Sequence, residues 1–237
     1  MSRHLPTDPV TAAFVSGVAV ARNQLDLPWE AARYVVVDLE TSGLGDRDVI
    51  VSFGAVHIDA GRVVGRSTVY GLVRPEPEAE VSPLSVTVHS IRAVDLRDAP
   101  SMPEALDPLI QAMTGRVLVA HAAWVERAFL TRALRGRGVG LDVPVIDTAA
   151  LAWPHLGLVA DPHRTPGLEP LAQRMHLPVH APHNALGDAL TTAQVFLVLA
   201  SHWAPAPGAS VRDLVRASSP PKPRSLRRLL SWFRSGS

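Results

Sequence analysis

Between residues 31 and 204 the apolar positions follow two rhythms that take turns along the chain. Tyr34-Val35-Val36-Val37 is a β-branched run ending at Asp38, which predicts a buried strand. Ile50 to Ile58 and Val63 to Val73 predict two more, parted by a turn at Asp59-Ala60-Gly61. Leu106, Leu109, Ile110 and Met113 then fall at i, i+3, i+4 and i+7, the spacing of one helix face. Val117-Leu118-Val119-Ala120 reads as a short buried strand, residues 126–135 as a helix, and Val145-Ile146-Asp147 as a strand end. Residues 168–175 and 185–203 are the last predicted helices. Three strands followed by alternating helices and strands predict an α/β fold, a mixed sheet flanked by helices in one domain. No internal repeat interrupts it.

The flanks read differently. Residues 1–30 predict a helical extension, opened by Asp8 as cap and Pro9 as first helical residue. Ala12 to Ala21 is mildly apolar and ends Ala19-Val20-Ala21, which imitates a secretory cleavage site. Asp8 and Pro9 before it, and the lack of Leu within it, argue against a signal peptide. No stretch reaches the roughly 18 apolar residues of a membrane span, so a cytoplasmic protein without a membrane partner is expected. After Trp203 the prolines at 205, 207, 220, 221 and 223 predict a linker and tail over 205–237. Within it Leu226, Leu229, Leu230 and Phe233 form a helical stripe beside Arg227, Arg228 and Arg234. That is a short basic amphipathic helix, suited to nucleic acid, a membrane surface or a protein partner such as a polymerase, and a frayed tail is the ordinary alternative.

Charge follows the same division. The tail holds seven basic residues and one acid, a net of +6, whereas residues 1–204 hold 16 basic and 21 acidic residues, a net of −5. With 47% hydrophobic and 19% charged residues the chain is globular, and 237 residues can bury a sizeable core. Arg outnumbers Lys 22 to one, which we read as codon bias. The absence of cysteine excludes disulfides and thiolate metal sites, so any bound metal needs oxygen or imidazole ligands.

Asp38 and Glu40 lie on one face at the end of the first strand. Two adjacent carboxylates repel and are costly to bury, and a hard divalent cation is the simplest compensation. A solvated strand end is the ordinary alternative. Glu126 opens a predicted helix, and Asp188 lies in the first turn of the last helix, five residues after His183. Helical geometry would set those two about 140° apart, so His183 belongs in the loop before the helix. Taken singly, Glu126 and Asp188 are also ordinary acids of a first helical turn.

The surrounding residues go further. Tyr34-Val-Val-Val-Asp-Leu-Glu-Thr-Ser-Gly-Leu44 resembles the first motif of the DEDDh exonucleases, a family that includes the proofreading epsilon subunit of bacterial DNA polymerase III. Val119-Ala-His-Ala-Ala-Trp-Val-Glu-Arg-Ala-Phe-Leu130 resembles their second motif, and His183-Asn-Ala-Leu-Gly-Asp188-Ala their third. The resemblance implies an RNase H-like core, two bound ions (Mg²⁺ or Mn²⁺) and hydrolysis at nucleic acid 3′ ends. It gives Asp38, Glu40, Glu126 and Asp188 the ligand positions, His183 the general-base position, and Thr41, Ser42, Gly43 and Leu44 the 3′-nucleotide pocket. Thr41-Ser42-Gly43 is closer to the DNA-directed members, so DNA is favoured over RNA.

Three positions depart from the family pattern. Glu126 replaces the usual Asp, Ala122 the usual Asn, and Ser90 a Gly that often follows the histidine at 89. The extra methylene of Glu126 moves its carboxylate by roughly 1–1.5 Å. A weakened binding module that keeps the fold is therefore the alternative to an active nuclease. Other residues carry ordinary expectations. His121 braces the loop after its strand, Asp147 caps the next helix, and Trp29 and Trp153 pack. His155, His163, His176 and His180 are structural or exposed.

Overall fold

Val35, Val36 and Val37 are fully buried in the middle of a nine-residue strand, β1 (Arg33–Thr41), preceded by a helix, α1 (Pro9–Asn23). The structure, a computed structural model, describes residues 8–76, 79, 81–157, 165–203 and 208–218. β1 is followed by β2 (Ile50–Asp59), β3 (Arg62–Leu72), α2 (Pro83–His89), α3 (Ala93–Leu96), α4 (Met102–Met113) and β4 (Val117–Ala120). Then come α5 (Trp124–Arg135), β5 (Val145–Asp147), α6 (Thr148–His155), α7 (Leu168–Arg174), α8 (Ala185–Trp203) and α9 (Val211–Ala217). The five strands form one mixed sheet in the order β3-β2-β1-β4-β5. β1–β2 and β2–β3 are antiparallel, and β1–β4 and β4–β5 parallel. The mixed sheet flanked by helices is the expected α/β fold.

Strand alternation divides the core in two. Tyr34 and Val36 of β1 face a cluster with Val56, Ile58, Leu151, Leu171 and Phe196, supplied by β2, α6, α7 and α8. Val35, Val37 and Leu39 face the other side, against Phe14 of α1, Leu109 and Ile110 of α4, and Leu130 of α5. The four residues of the α4 stripe are all buried there. Asp38 and Glu40 continue the face of Tyr34 and Val36, the face covered by α8.

Three short helices fall outside the sequence expectation. α2 and α3 have seven and four residues, too few for an apolar stripe to show a period. The third, α9, lies within 205–237, the stretch expected to be a linker and tail. Val211 and Leu214 are fully buried in the cluster under α8, and Val211 N donates to Leu27 O at 3.1 Å. Trp29 N donates to Ala209 O at 2.9 Å, and Arg212 pairs with Asp26 at 2.8 Å. Prolines marked a linker, but about two turns of helix with two buried apolar side chains suffice to dock the segment. The expected basic helix around Leu226 to Phe233 lies outside the described residues.

The expected N-terminal extension is likewise packed into the same body. Asp8 caps α1 by accepting from Val10 N and Thr11 N at 3.2 and 3.0 Å, with Pro9 next as expected. Gln24 joins α1 to the sheet, donating to Gly115 O at 2.9 Å and accepting from Arg33 N at 2.6 Å. No described helix is long and apolar enough to cross a membrane.

Leu214→Ala should destabilise the protein by about 2–5 kcal/mol through the cavity it leaves. A melting temperature lower by roughly 5–15 °C in a calorimetric scan is the expected outcome. An unchanged value would mean that α9 is not docked.

Candidate active site

β1 outruns its parallel neighbour. Its pairing with β4 covers only Tyr34 to Val36, so Asp38 and Glu40 stand beyond the carboxyl end of β4. In open α/β sheets that crevice is where ligands bind. On the antiparallel side Asp38 pairs with Gly54 and Glu40 with Ser52, and a register shift follows between Glu40 and Thr41. Gly54 is what allows α8 to enter. A Cβ there would collide with the backbone of Ala185 and Leu186, so only glycine lets the start of α8 lie on β2. Asp188, one turn along α8, is thereby brought over β1.

One carboxylate oxygen each from Asp38, Glu40 and Asp188 lies within 4.8 Å of the others. Glu126, in the first turn of α5, is 3% exposed and adds its charge beside Asp38, outside that group of three. Its Oε2 is buried and accepts no hydrogen bond within the protein. Among the described residues, no Arg or Lys forms an ion pair with any of the four. Burial pushes the Asp38 carboxyl well above the ordinary range, and Glu126, Glu40 and Asp188 push it further. Glu126 is raised by burial, then by Asp147 and Glu40. Glu40 rises to about 7 through burial and Asp188. Asp188 rises to about 6 through burial, held back by the bond from His183 N. Buried Glu40 and Glu126 and half-buried Asp38 and Asp188, with an orphaned oxygen and no paired protein cation among the described residues, form an all-oxygen donor set that fits Mg²⁺ or Mn²⁺.

His183 lies in the loop before α8, as expected, with a φ of 59°. Its backbone N donates to Asp188 Oδ2 at 2.9 Å, and its exposed ring places Nε2 3.5 Å from Glu169 Oε1 of α7. Glu169 escaped the sequence reading, because its nearness to His183 depends on how α7 packs beside the loop. Asn184 caps α8 by accepting from Gly187 N at 3.2 Å.

The four pocket candidates form the start of a braced loop. Ser42 Oγ donates to Asp48 Oδ1 at 2.9 Å and accepts from Val49 N at 3.0 Å, so its hydroxyl is engaged within the loop. Gly43 lies against Asp48, where a Cβ would be crowded at 2.6 Å. Arg132 of α5 donates to the carbonyls of Gly45, Asp46 and Asp48 at 3.2, 3.2 and 2.8 Å. Thr41 is buried, and its carbonyl accepts from His89 Nε2 at 3.3 Å, while His89 Nδ1 accepts from Ile91 N at 3.0 Å. Leu44 packs partly against the α4–α5 side of the core.

His121 braces its loop as expected, with Nε2 2.7 Å from Pro166 O and Nδ1 2.9 Å from Thr148 Oγ1. Burial lowers it to about 4, so the ring is neutral. Trp29 is 5% exposed and meets Phe196 edge-on at 6.4 Å, a packing residue.

Solved structures share this arrangement of sheet and helices. Exonuclease X in complex with 5′ overhanging duplex DNA superposes with a TM-score of 0.61 at 21% identity, covering 78% of this chain and 99% of that one. The nuclease domain of 3′hExo, a DEDDh family member bound to rAMP, gives 0.60 at 15% identity, covering 74% and 94%. The fold is that of the RNase H-like exonuclease domains. The exonuclease (RNase_T) family model matches residues 35–196, and the chain belongs to that family. A DNA polymerase III subunit epsilon-like protein of Rhodobacter capsulatus is 36% identical over 181 residues, 73% of this chain and 24% of the relative. A PolC-type DNA polymerase III of Thermotoga petrophila is 34% identical over 197 residues, 81% of this chain and 14% of the relative. The chain thus spans about a quarter or less of the length of these relatives.

Raised folded-state pKa values give the metal-free protein a pH signature. Between the unfolded carboxylate value near 4 and the folded values of about 6 and 7, the native site holds more protons than the unfolded chain. Its contribution to stability is therefore fully present below about pH 4 and is lost as pH rises through 7. Asp38→Asn removes the central charge, so its gain in melting temperature over metal-free wild type should be small near pH 4.5 and grow towards pH 8. His57, His89 and His121, whose lowered values act in the opposite sense, are common to both proteins and cancel. Calorimetry in chelator checks this, and a difference that is constant with pH would contradict it.

Proposed function

We propose that the protein is a divalent-metal-dependent 3′→5′ exonuclease that removes nucleoside 5′-monophosphates from DNA ends by a two-metal mechanism. The observation that carries this reading is the convergence of Asp38, Glu40 and Asp188 within 4.8 Å, with Glu126 buried beside Asp38. The DNA-bound and rAMP-bound titles of the two exonuclease neighbours support a nucleic acid substrate. The polymerase III names of the relatives support work alongside a polymerase. Preference for DNA rests on Thr41-Ser42-Gly43 alone.

Bound at the carboxylates, two ions would supply Lewis-acid stabilisation of the charge that develops on the phosphodiester oxygens. Asp38, Glu40 and Asp188 would hold them from the sheet and α8, and Glu126 from α5. His183 would take the proton of the attacking water as general base. The ring is exposed and its loop is fixed by the bond to Asp188, so it can reach a water at the mouth of the site. The loop of Thr41 to Leu44, braced by Asp48 and Arg132, would seat the terminal nucleotide.

Purified protein with 5′-labelled single-stranded DNA and RNA should produce a descending ladder with Mg²⁺ or Mn²⁺ and none with EDTA. Asp38→Ala and Asp188→Ala should lose nearly all activity while staying folded. His183→Ala should lose roughly 10²–10⁴-fold in rate and retain metal binding. Full activity in either aspartate variant would remove the assignment.

Glu126 separates an active enzyme from a weakened module. We expect Mn²⁺ to support faster hydrolysis than Mg²⁺, whose octahedral demands are stricter. Glu126→Gln keeps the size and removes the charge, and should be nearly inactive with both ions. Retained activity with both would show that Glu126 is not a ligand.

A further inference from the structure

Asp147 does more than cap a helix. It ends β5 beside Ala120, the last residue of β4, and is buried at 9% exposure with no ion-pair partner among the described residues. Its carboxylate accepts from backbone N–H groups at the starts of two different helices. Ala149 N and Ala150 N of α6 reach Oδ1 at 2.9 and 3.4 Å. Ala122 N reaches the same oxygen at 3.1 Å, and Ala123 N reaches Oδ2 at 3.1 Å. The last two belong to the turn that starts α5, the helix of Glu126.

That turn is strained. Ala122 has a φ of 55°, the left-handed region, which an alanine enters only when its surroundings hold it there. Thr148 secures the same turn from the next position, its Oγ1 lying 3.3 Å from Ala120 O and 2.9 Å from His121 Nδ1. Glu126 Oε2 has no hydrogen-bond partner in the protein, so the position of that oxygen follows the placement of its helix.

We infer that Asp147 is a positioning residue that sets the first turn of α5 and so places the Glu126 carboxylate for a divalent cation. The inference rests on the reading of Glu126 as a metal ligand. A residue that only capped α6 would need the bonds to Ala149 and Ala150 alone. Asp147→Ser separates the two roles, because serine is a good cap but too short to hold both helices. Asp147→Asn is the companion variant, since its amide oxygen can replace Oδ1 but its NH2 cannot accept the bond from Ala123 N.

The test is calorimetric titration with Mn²⁺ of wild type, Asp147→Ser, Asp147→Asn, Glu126→Gln and the Asp147→Ser/Glu126→Gln double variant, with circular dichroism to confirm folding. Both Asp147 variants should bind Mn²⁺ roughly 10–100-fold more weakly at the site that depends on Glu126. In the Glu126→Gln background Asp147→Ser should produce no further loss. Unchanged affinity in folded Asp147→Ser and Asp147→Asn, or an equal loss in both backgrounds, overturns the inference while leaving Glu126 a ligand. Wild-type affinity in Glu126→Gln removes the ligand reading itself and this role for Asp147 with it.

Discussion

Like charges held together in a partly buried site are the constraint on which the rest of this structure depends. Asp38, Glu40 and Asp188 converge within 4.8 Å, Glu126 is buried alongside, and no Arg or Lys among the described residues pairs with them. Left to themselves such groups separate or take up protons, and their raised pKa values record the second response. The site therefore works against stability, and the fold holds it together from outside. β1 supplies two acids from a strand whose other residues are locked into apolar clusters on both faces. α8 supplies the third from a helix let down onto β2 by Gly54. A divalent cation bound there would turn the repulsion into attraction.

Three of the six non-glycine residues with positive φ among the described residues belong to the segments that carry the motifs. Ala122 and His183 have φ values of 55° and 59°, and Ser90, next to the buried His89, has 62°. Ala122 and Ser90 are two of the three positions where the chain departs from the motif pattern. Asn and Gly tolerate the left-handed region, while Ala and Ser sit there at a cost of about 1–2 kcal/mol. The departures leave the backbone shape in place and shift the burden of holding it onto contacts such as Asp147 and Thr148. The third departure, Glu126, concerns reach instead of strain, and its longer arm is placed by the same turn.

How much of this was legible in the sequence depended on whether the information was local. Strand alternation put Asp38 and Glu40 on one face, and the expected span of the last helix, 185–203, coincides with α8. His183 belonged in a loop on helical geometry alone. Gly54 was not legible, because its importance comes from pairing with Asp38 and from α8 passing over it, both matters of register and packing. Asp147 looked like a helix cap, which it is, but its grip on α5 crosses between strands. Glu169 gained its neighbour only when α7 packed beside the loop of His183. α9 was hidden by composition: the prolines around it resemble a linker, and two buried side chains are too few to make a pattern.

The central claim is that the four carboxylates are a divalent-cation site. It is tested most directly by crystals grown with Mn²⁺, with anomalous diffraction collected at the manganese edge. The account predicts two anomalous peaks, one bounded by Asp38, Glu40 and Asp188 and one between Asp38 and Glu126. A fully occupied Mn²⁺ elsewhere on the protein, with no anomalous signal at these carboxylates at neutral pH, would contradict it.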